Sequence, residues 1–215
     1  MQKITITSLP ELATADAATA GNLMKKHAAA HRIDSVNWRE QFDYKPDAQF
    51  YIACTPDALW LHFHVAGEKA HAVHTEDMAE VWNDSCVEFF VKKPDEAVYR
   101  NFEFNCIGYC VATIRKSRTE GIEPLSPPEL RSIERYASLG RQTIDASGPT
   151  EWEITVKIPA ALLGLSALKT GDVLLGNFYK CGDKTDRPHY VSWNKIDTEK
   201  PDFHRPEYFG ILEFA

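Results

Sequence analysis

From residue 48 onward the chain breaks into short runs of strand-forming residues with turn residues between them. AQFYIAC (48–54) ends at TPDA, LWLHFHVAG (59–67) alternates, and SCVEFFV (85–91) runs into the turn KKPDEA. NFEFNCIG (101–108) and YCVATIRK (109–116) meet near Gly108, and LRSIERYAS (130–138), EWEITVKIP (151–159) and GDVLLGNFYKC (171–181) follow. HYVSW (189–193) and EYFGILEF (207–214) finish the chain. Many short strands at this spacing read as an all-β chain, a β-sandwich of antiparallel sheets of immunoglobulin or jelly-roll type. Helix signals are confined to AATAGNLMKKHAAAH (17–31) and to a short segment near 159–165, IPAALLGL.

A chain of 215 residues suits one domain, and 44% hydrophobic residues can bury a core. The net charge of −7 argues against nucleic acid as partner, because that affinity rests on clustered Lys and Arg. The apolar runs are too short to span a bilayer, so no membrane partner is expected. The N-terminus lacks a basic stretch followed by an apolar one, so the chain as it stands reads as cytoplasmic, and as extracellular if it is trimmed. The five cysteines, Cys54, Cys86, Cys106, Cys110 and Cys181, form no CxxC pair and read as reduced, buried thiols.

Two strands carry a carboxylate in mid-run. Alternate side chains of a strand point to opposite faces. In SCVEFFV, Ser85, Val87, Phe89 and Val91 share one face, and Cys86, Glu88 and Phe90 share the other. In NFEFN, Phe102, Phe104 and Cys106 face the core, and Asn101, Glu103 and Asn105 face away. The two runs read as an antiparallel hairpin that puts Glu88, Glu103 and both Asn on one polar face. The plainer reading of such a face is simple solvation. Glu and Asn with Trp82 and Asp84 at the edge are also what a sugar-binding surface needs. Carboxylates and amides bond hydroxyls, and an indole stacks on the C–H face of a pyranose.

The segment GNFYKCGDKTDRPHYVSWNKIDTEKPDFHRPEYFGIL concentrates aromatics, Asn, His, Asp and Pro, a composition typical of functional loops. Asn177, His189 and Trp193 are its candidate ligand contacts. Glu88, Glu103 and Asp183 also raise a glycosidase reading, without a motif to fix acid and nucleophile. His62 and His64 share one strand face as a candidate metal pair, although HxH is common by chance. Asp77, Asp84, Asp183 and Asp186 lie outside any DxDxDG calcium loop.

WNDSCVEFFV, YRNFEFNCIG, GNFYKCGD, PHYVSW and PDFHRPEYFGIL together resemble the carbohydrate-binding family 9-like domain, related to the family 9 modules of xylanases. The resemblance covers roughly residues 30 to 215, leaving residues 1–29 as an N-terminal strand and helix extension. It implies a β-sandwich that binds a mono- or oligosaccharide without cleaving it, in the catabolism of xylan- or glucan-type carbohydrate. It implies two tryptophans sandwiching a sugar at a chain's reducing end, polar side chains beside them, no cofactor, and structural Ca²⁺ elsewhere as the weaker option. The first clamp residue lies six positions before a strand glutamate, which matches Trp82 and Glu88. The next strand's polar pair would be Glu103 and Asn105, and the late-loop tryptophan would be Trp193. The family carries arginine where this chain has Glu103. Two other readings stand beside this one: a glycoside hydrolase using a carboxylate pair, and an interaction domain whose sugar site has decayed. The sugar, its linkage and the oligomeric state stay open.

Overall fold

A computed structural model describes all of residues 1–215. Eleven strands of three residues or more carry the fold. In chain order they are β1 (Lys3–Ser8), β2 (Asp47–Thr55), β3 (Ala58–Glu68), β4 (Cys86–Lys92), β5 (Tyr99–Asn105) and β6 (Cys110–Arg115). Then come β7 (Glu134–Ala137), β8 (Thr150–Pro159), β9 (Val173–Cys181), β10 (Tyr190–Ser192) and β11 (Gly210–Phe214). They form one continuous sheet, ordered β6-β5-β4-β9-β11-β1-β2-β3-β8-β7, which curls over to make two packed layers. The first layer runs from β6 to β11 and the second from β2 to β7, both with antiparallel neighbours.

Strand β1 joins the layers. Its residues Lys3–Ile6 pair parallel with Ile211–Phe214 of β11, and Thr7 and Ser8 pair parallel with Ala53 and Cys54 of β2. The segment 1–29, expected as an extension ahead of the sandwich, therefore supplies a strand in the middle of the sheet order. Between the layers, Phe50 of β2 stacks on Phe178 of β9 at 3.7 Å, and Phe89 of β4 stacks on the same ring at 4.8 Å. The alternation expected for β4 and β5 holds: Val87, Phe89, Phe102 and Phe104 join this central cluster, while Cys86 and Phe90 join a second cluster on the outer face of the first layer.

Helix α1 (Ala17–His27) covers the outer face of the second layer, packing Ala17, Ala20 and Met24 against Ala53 and Trp60. It stops four residues short of the expected end, because His31 and Arg32 leave to pair with Phe50 and Gln49. A 3-10 turn, Ala160–Leu163, fills the short helical segment expected there. The run 130–138, expected as one strand, is split. Its start belongs to helix α2 (Pro127–Ser132), opened by a capping box of Ser126 and Glu129, and only β7 remains extended. No helix is long and apolar enough to cross a membrane.

Candidate functional site

The outer face of the first layer carries a pocket of about 280 Å³. Its floor is the sheet. Glu88 of β4 stands directly opposite Glu103 of β5, and Cys181 of β9 stands beside them. Loops and the start of β10 make the walls: Trp82 from the turn Val81–Asn83, Asp183, Tyr190 of β10, and the segment holding Asp202, Phe203 and His204. Arg115, at the end of β6, and Arg118 complete the rim.

The walls are tied to one another and to the sheet. The Trp82 carbonyl accepts the Asp183 backbone N–H at 3.1 Å, and the Asn83 carbonyl accepts that of Lys184 at 2.9 Å. The half-buried indole is thus anchored through its own backbone. Phe203 stacks on Tyr179 of β9 at 4.2 Å, and its carbonyl accepts the Tyr179 hydroxyl at 3.1 Å. The Tyr99 hydroxyl bonds His204 Nδ1 at 2.8 Å.

A relay of polar groups positions Glu103. Arg115 Nε donates to Thr113 Oγ1 at 2.7 Å, the Thr113 hydroxyl donates to Asn101 Oδ1, and the Asn101 amide donates to Glu103 Oε1 at 2.7 Å. Glu88 takes one hydrogen bond, from the Cys181 thiol at 3.0 Å.

Burial sets the charge of the pocket. It raises the carboxyl of Glu88 well above its ordinary value, reinforced by the neighbouring Glu103. It raises Glu103 to about 7 against the opposing pull of the Asn101 hydrogen bond and Arg115. Asp183 is raised to about 6, again by burial. His204 is pushed down to about 3 by burial and by Arg115 and Arg118, so its ring is neutral. Near pH 7 the pocket therefore offers a Glu88 carboxyl held toward its protonated form, a Glu103 carboxyl that shares its proton about equally with water, a mostly ionised Asp183, a neutral imidazole, two guanidinium groups and exposed aromatic faces. It can donate and accept hydrogen bonds to an uncharged polar ligand.

Of the residues expected from the sequence, Trp82, Glu88, Glu103 and Asp183 meet here, and Asn105, Asn177, His189 and Trp193 do not. Trp193 is the main correction. In the run 190–193, parity sends Val191 and Trp193 inward, and Trp193 packs edge-on against Phe50 and Phe178 in the central core. The aromatic that this run presents to the pocket is Tyr190. Asn105 is fully buried and braces loops, bonding the His74 carbonyl, Asp84 and the Tyr109 N–H. Asn177 clasps the backbone of Asn194 on both sides. His189 is buried beside Lys180, which pairs with Glu68 at 3.0 Å.

His62 and His64 lie on the second layer, bonded to Thr155 and Glu151. Asp77, Asp84 and Asp186 bind separate partners, Arg135, His74 and Lys69. The pocket residues not foreseen are Arg115, Arg118, Thr119, Cys181, Tyr190, Pro201, Asp202, Phe203 and His204. Arg115 was readable: Glu103 opposes Val111, so Thr113 and Arg115 continue the same face of β6.

Comparison with known proteins gives a consistent relationship. A family model described as "Carbohydrate-binding family 9" matches residues 17–214. A putative carbohydrate-binding protein from Bacteroides uniformis ATCC 8492 superposes with a TM-score of 0.93 at 32% identity, covering 100% of this chain and 99% of that one. A family 9 carbohydrate-binding module from Caldicellulosiruptor kristjanssonii, solved with glucose, has a TM-score of 0.67 at 8% identity, covering 100% and 96%. A module of the same family and organism, solved with cellotriose, gives 0.63 at 10% identity, covering 100% and 94%. No curated protein matches.

Proposed function

The chain belongs to carbohydrate-binding family 9, and from that premise we propose that the pocket on the first layer holds one sugar unit of a mono- or oligosaccharide without cleaving it. The observation that carries this reading is the meeting of a half-buried Trp82 with a floor of paired carboxyls in one pocket. The indole supplies an apolar face for pyranose C–H groups. Glu88, Glu103, Asp183 and Arg115 supply donors and acceptors for hydroxyls. Tyr190 and Phe203 take the opposing-aromatic role that the sequence reading gave to Trp193. The guanidinium comes from Arg115 on the next strand, where the family pattern has an arginine at the position of Glu103.

A pocket of about 280 Å³ suits one ring with its neighbour outside, rather than a long chain. The family 9 modules solved with glucose and cellotriose favour a glucan-type ligand met in carbohydrate catabolism. Stacking plus a few hydrogen bonds, each worth about 1 kcal/mol net, gives affinities on the order of micromolar to millimolar.

The test is calorimetric titration with glucose, xylose, cellotriose and xylotriose, assaying the same mixtures for new reducing ends. Heat without cleavage is expected. Trp82→Ala should weaken binding at least about tenfold, the loss of stacking and apolar contact, with an unchanged circular dichroism spectrum. Wild-type affinity in that variant would remove Trp82 from the site. The facing carboxyls Glu88 and Glu103 favour one further reading, glycoside hydrolysis, which needs two carboxyls about 5–10 Å apart. New reducing ends, abolished in Glu103→Gln, would establish it.

A further inference from the structure

At the pocket floor three metal-ligating side chains converge that sugar binding does not need together. Cys86 and Cys181 are register partners on the neighbouring strands β4 and β9, and Glu88 follows Cys86 by two residues on the same face. The two sulfur atoms and a carboxylate oxygen of Glu88 all lie within 4.8 Å of one another, with Cys181 Sγ 3.0 Å from Glu88 Oε1. Ligands held about 2.0–2.3 Å from one tetrahedral ion stand about 3–4 Å apart. Small side-chain rotations would therefore close the cluster on an ion. All three residues are buried, yet Glu88 and Cys181 also line the pocket. That arrangement gives an ion a way in and leaves one side of it facing the pocket.

We infer that Cys86, Cys181 and Glu88 form a binding site for a thiophilic divalent cation of the zinc class, with a fourth coordination position open to the pocket. Two thiolates select a borderline-soft ion over Ca²⁺ or Mg²⁺, which take oxygen ligands. Three protein ligands with one open position is the pattern of a site that binds an exchangeable ligand, not a closed structural one. The charge balance is definite. Burial holds both thiols protonated, Cys86 pushed up to about 12 and Cys181 also raised. The ion must displace both thiol protons to solvent, and Glu88 gives up its own wherever it carries one. Cys54, Cys106 and Cys110 contribute to the central core and stand outside the cluster. Sugar titration of the metal-free protein reads out separately from ion binding at these three residues.

The experiment is titration of the reduced protein with Co²⁺, followed by thiolate-to-cobalt charge-transfer absorption and then by displacement with Zn²⁺. One equivalent is expected. Apparent affinity should rise at least about 100-fold per pH unit, because two thiol protons leave per ion. Cys86→Ser and Cys181→Ser should lose the band, Cys54→Ser should keep it, and Glu88→Gln should keep it with binding at least about tenfold weaker. No band in the wild-type protein, or a band that survives both serine variants at those positions, overturns the site. Where the serine variants do not fold, zinc-edge X-ray absorption of the loaded wild-type protein decides. Two sulfur ligands at about 2.3 Å support the site, and a shell of oxygen and nitrogen alone overturns it.

Discussion

Glu103 sits between two core phenylalanines with its carboxyl facing that of Glu88, and its burial has a thermodynamic sign. A carboxyl held at about 7 in the folded chain, against an ordinary 4.5, takes up a proton on folding between those values. Its contribution to stability is present in full below about pH 4.5 and is lost as pH rises through about 7. Glu103→Gln keeps an Oε1 to accept the Asn101 amide but cannot ionise. The variant should be more stable than wild type at pH 8 by on the order of 1–3 kcal/mol and nearly equal to it at pH 4. Urea unfolding at both pH values checks this, and a variant less stable at pH 8 would mean that the ionised pair is better solvated than its burial implies. At this scale much of the pocket was legible. Period 2 put Glu88 and Glu103 on one face, and the same rule reaches Arg115. Trp193 was placed in the site by aromatic-rich composition and by the family resemblance, not by parity, and a three-residue strand flanked by loops has no register of its own to check that placement. Aromatic-rich composition marks such a segment as functional without telling which ring faces the pocket. Arg118, Asp202 and His204 arrive from loops, where no periodicity operates.

Among the elements, α1 shows a local preference giving way to packing. Asp16 caps it, its side chain accepting the Thr19 N–H at 2.9 Å, and its composition favours helix. Gly21 is the exception, since glycine in a helix interior costs about 1 kcal/mol relative to alanine. The structure gives the reason. A Cβ at Gly21 would stand 2.6 Å from His62 Nδ1 and 2.8 Å from Thr155 Oγ1. Both side chains are buried and bonded to each other, so neither can swing aside cheaply. Gly21→Ala should therefore destabilise the protein by about 1–3 kcal/mol in spite of the propensity gain. Thermal unfolding gives the sign directly, and a stabilised variant would show that the helix can lift off the sheet without loss. The second helix carries a start signal that the strand reading of 130–138 did not use. Ser126, two prolines and Glu129 are a helix start, and only Glu134–Ala137 of the run stays extended.

For the molecule as a whole, the decisive element is the strand expected only as part of an N-terminal extension. Strand β1 is short, it was grouped with an extension, and the family match begins after it, at residue 17. Yet its first half completes the ladder of β11 and its second half that of β2, with Ile4 and Ile6 buried in the core. A parallel pairing between residues about 200 apart leaves no hairpin signal, because nothing local encodes it. Its removal would open an edge on each layer at once, leaving backbone donors and acceptors unpaired beside exposed core. It would also loosen β9 through β11, and β9 carries Cys181 on the pocket floor. The chain lacking residues 1–8 should therefore lose cooperative unfolding, whereas Ile6→Ala in the full chain should keep the transition and lower stability by about 2–5 kcal/mol. Circular dichroism melts of the two proteins separate the cases. A truncated chain that melts cooperatively within a few degrees of wild type would mean that the layers hold together by core packing alone. A lost transition beside a merely lowered one would make β1 the seam on which both layers, and the pocket they support, depend.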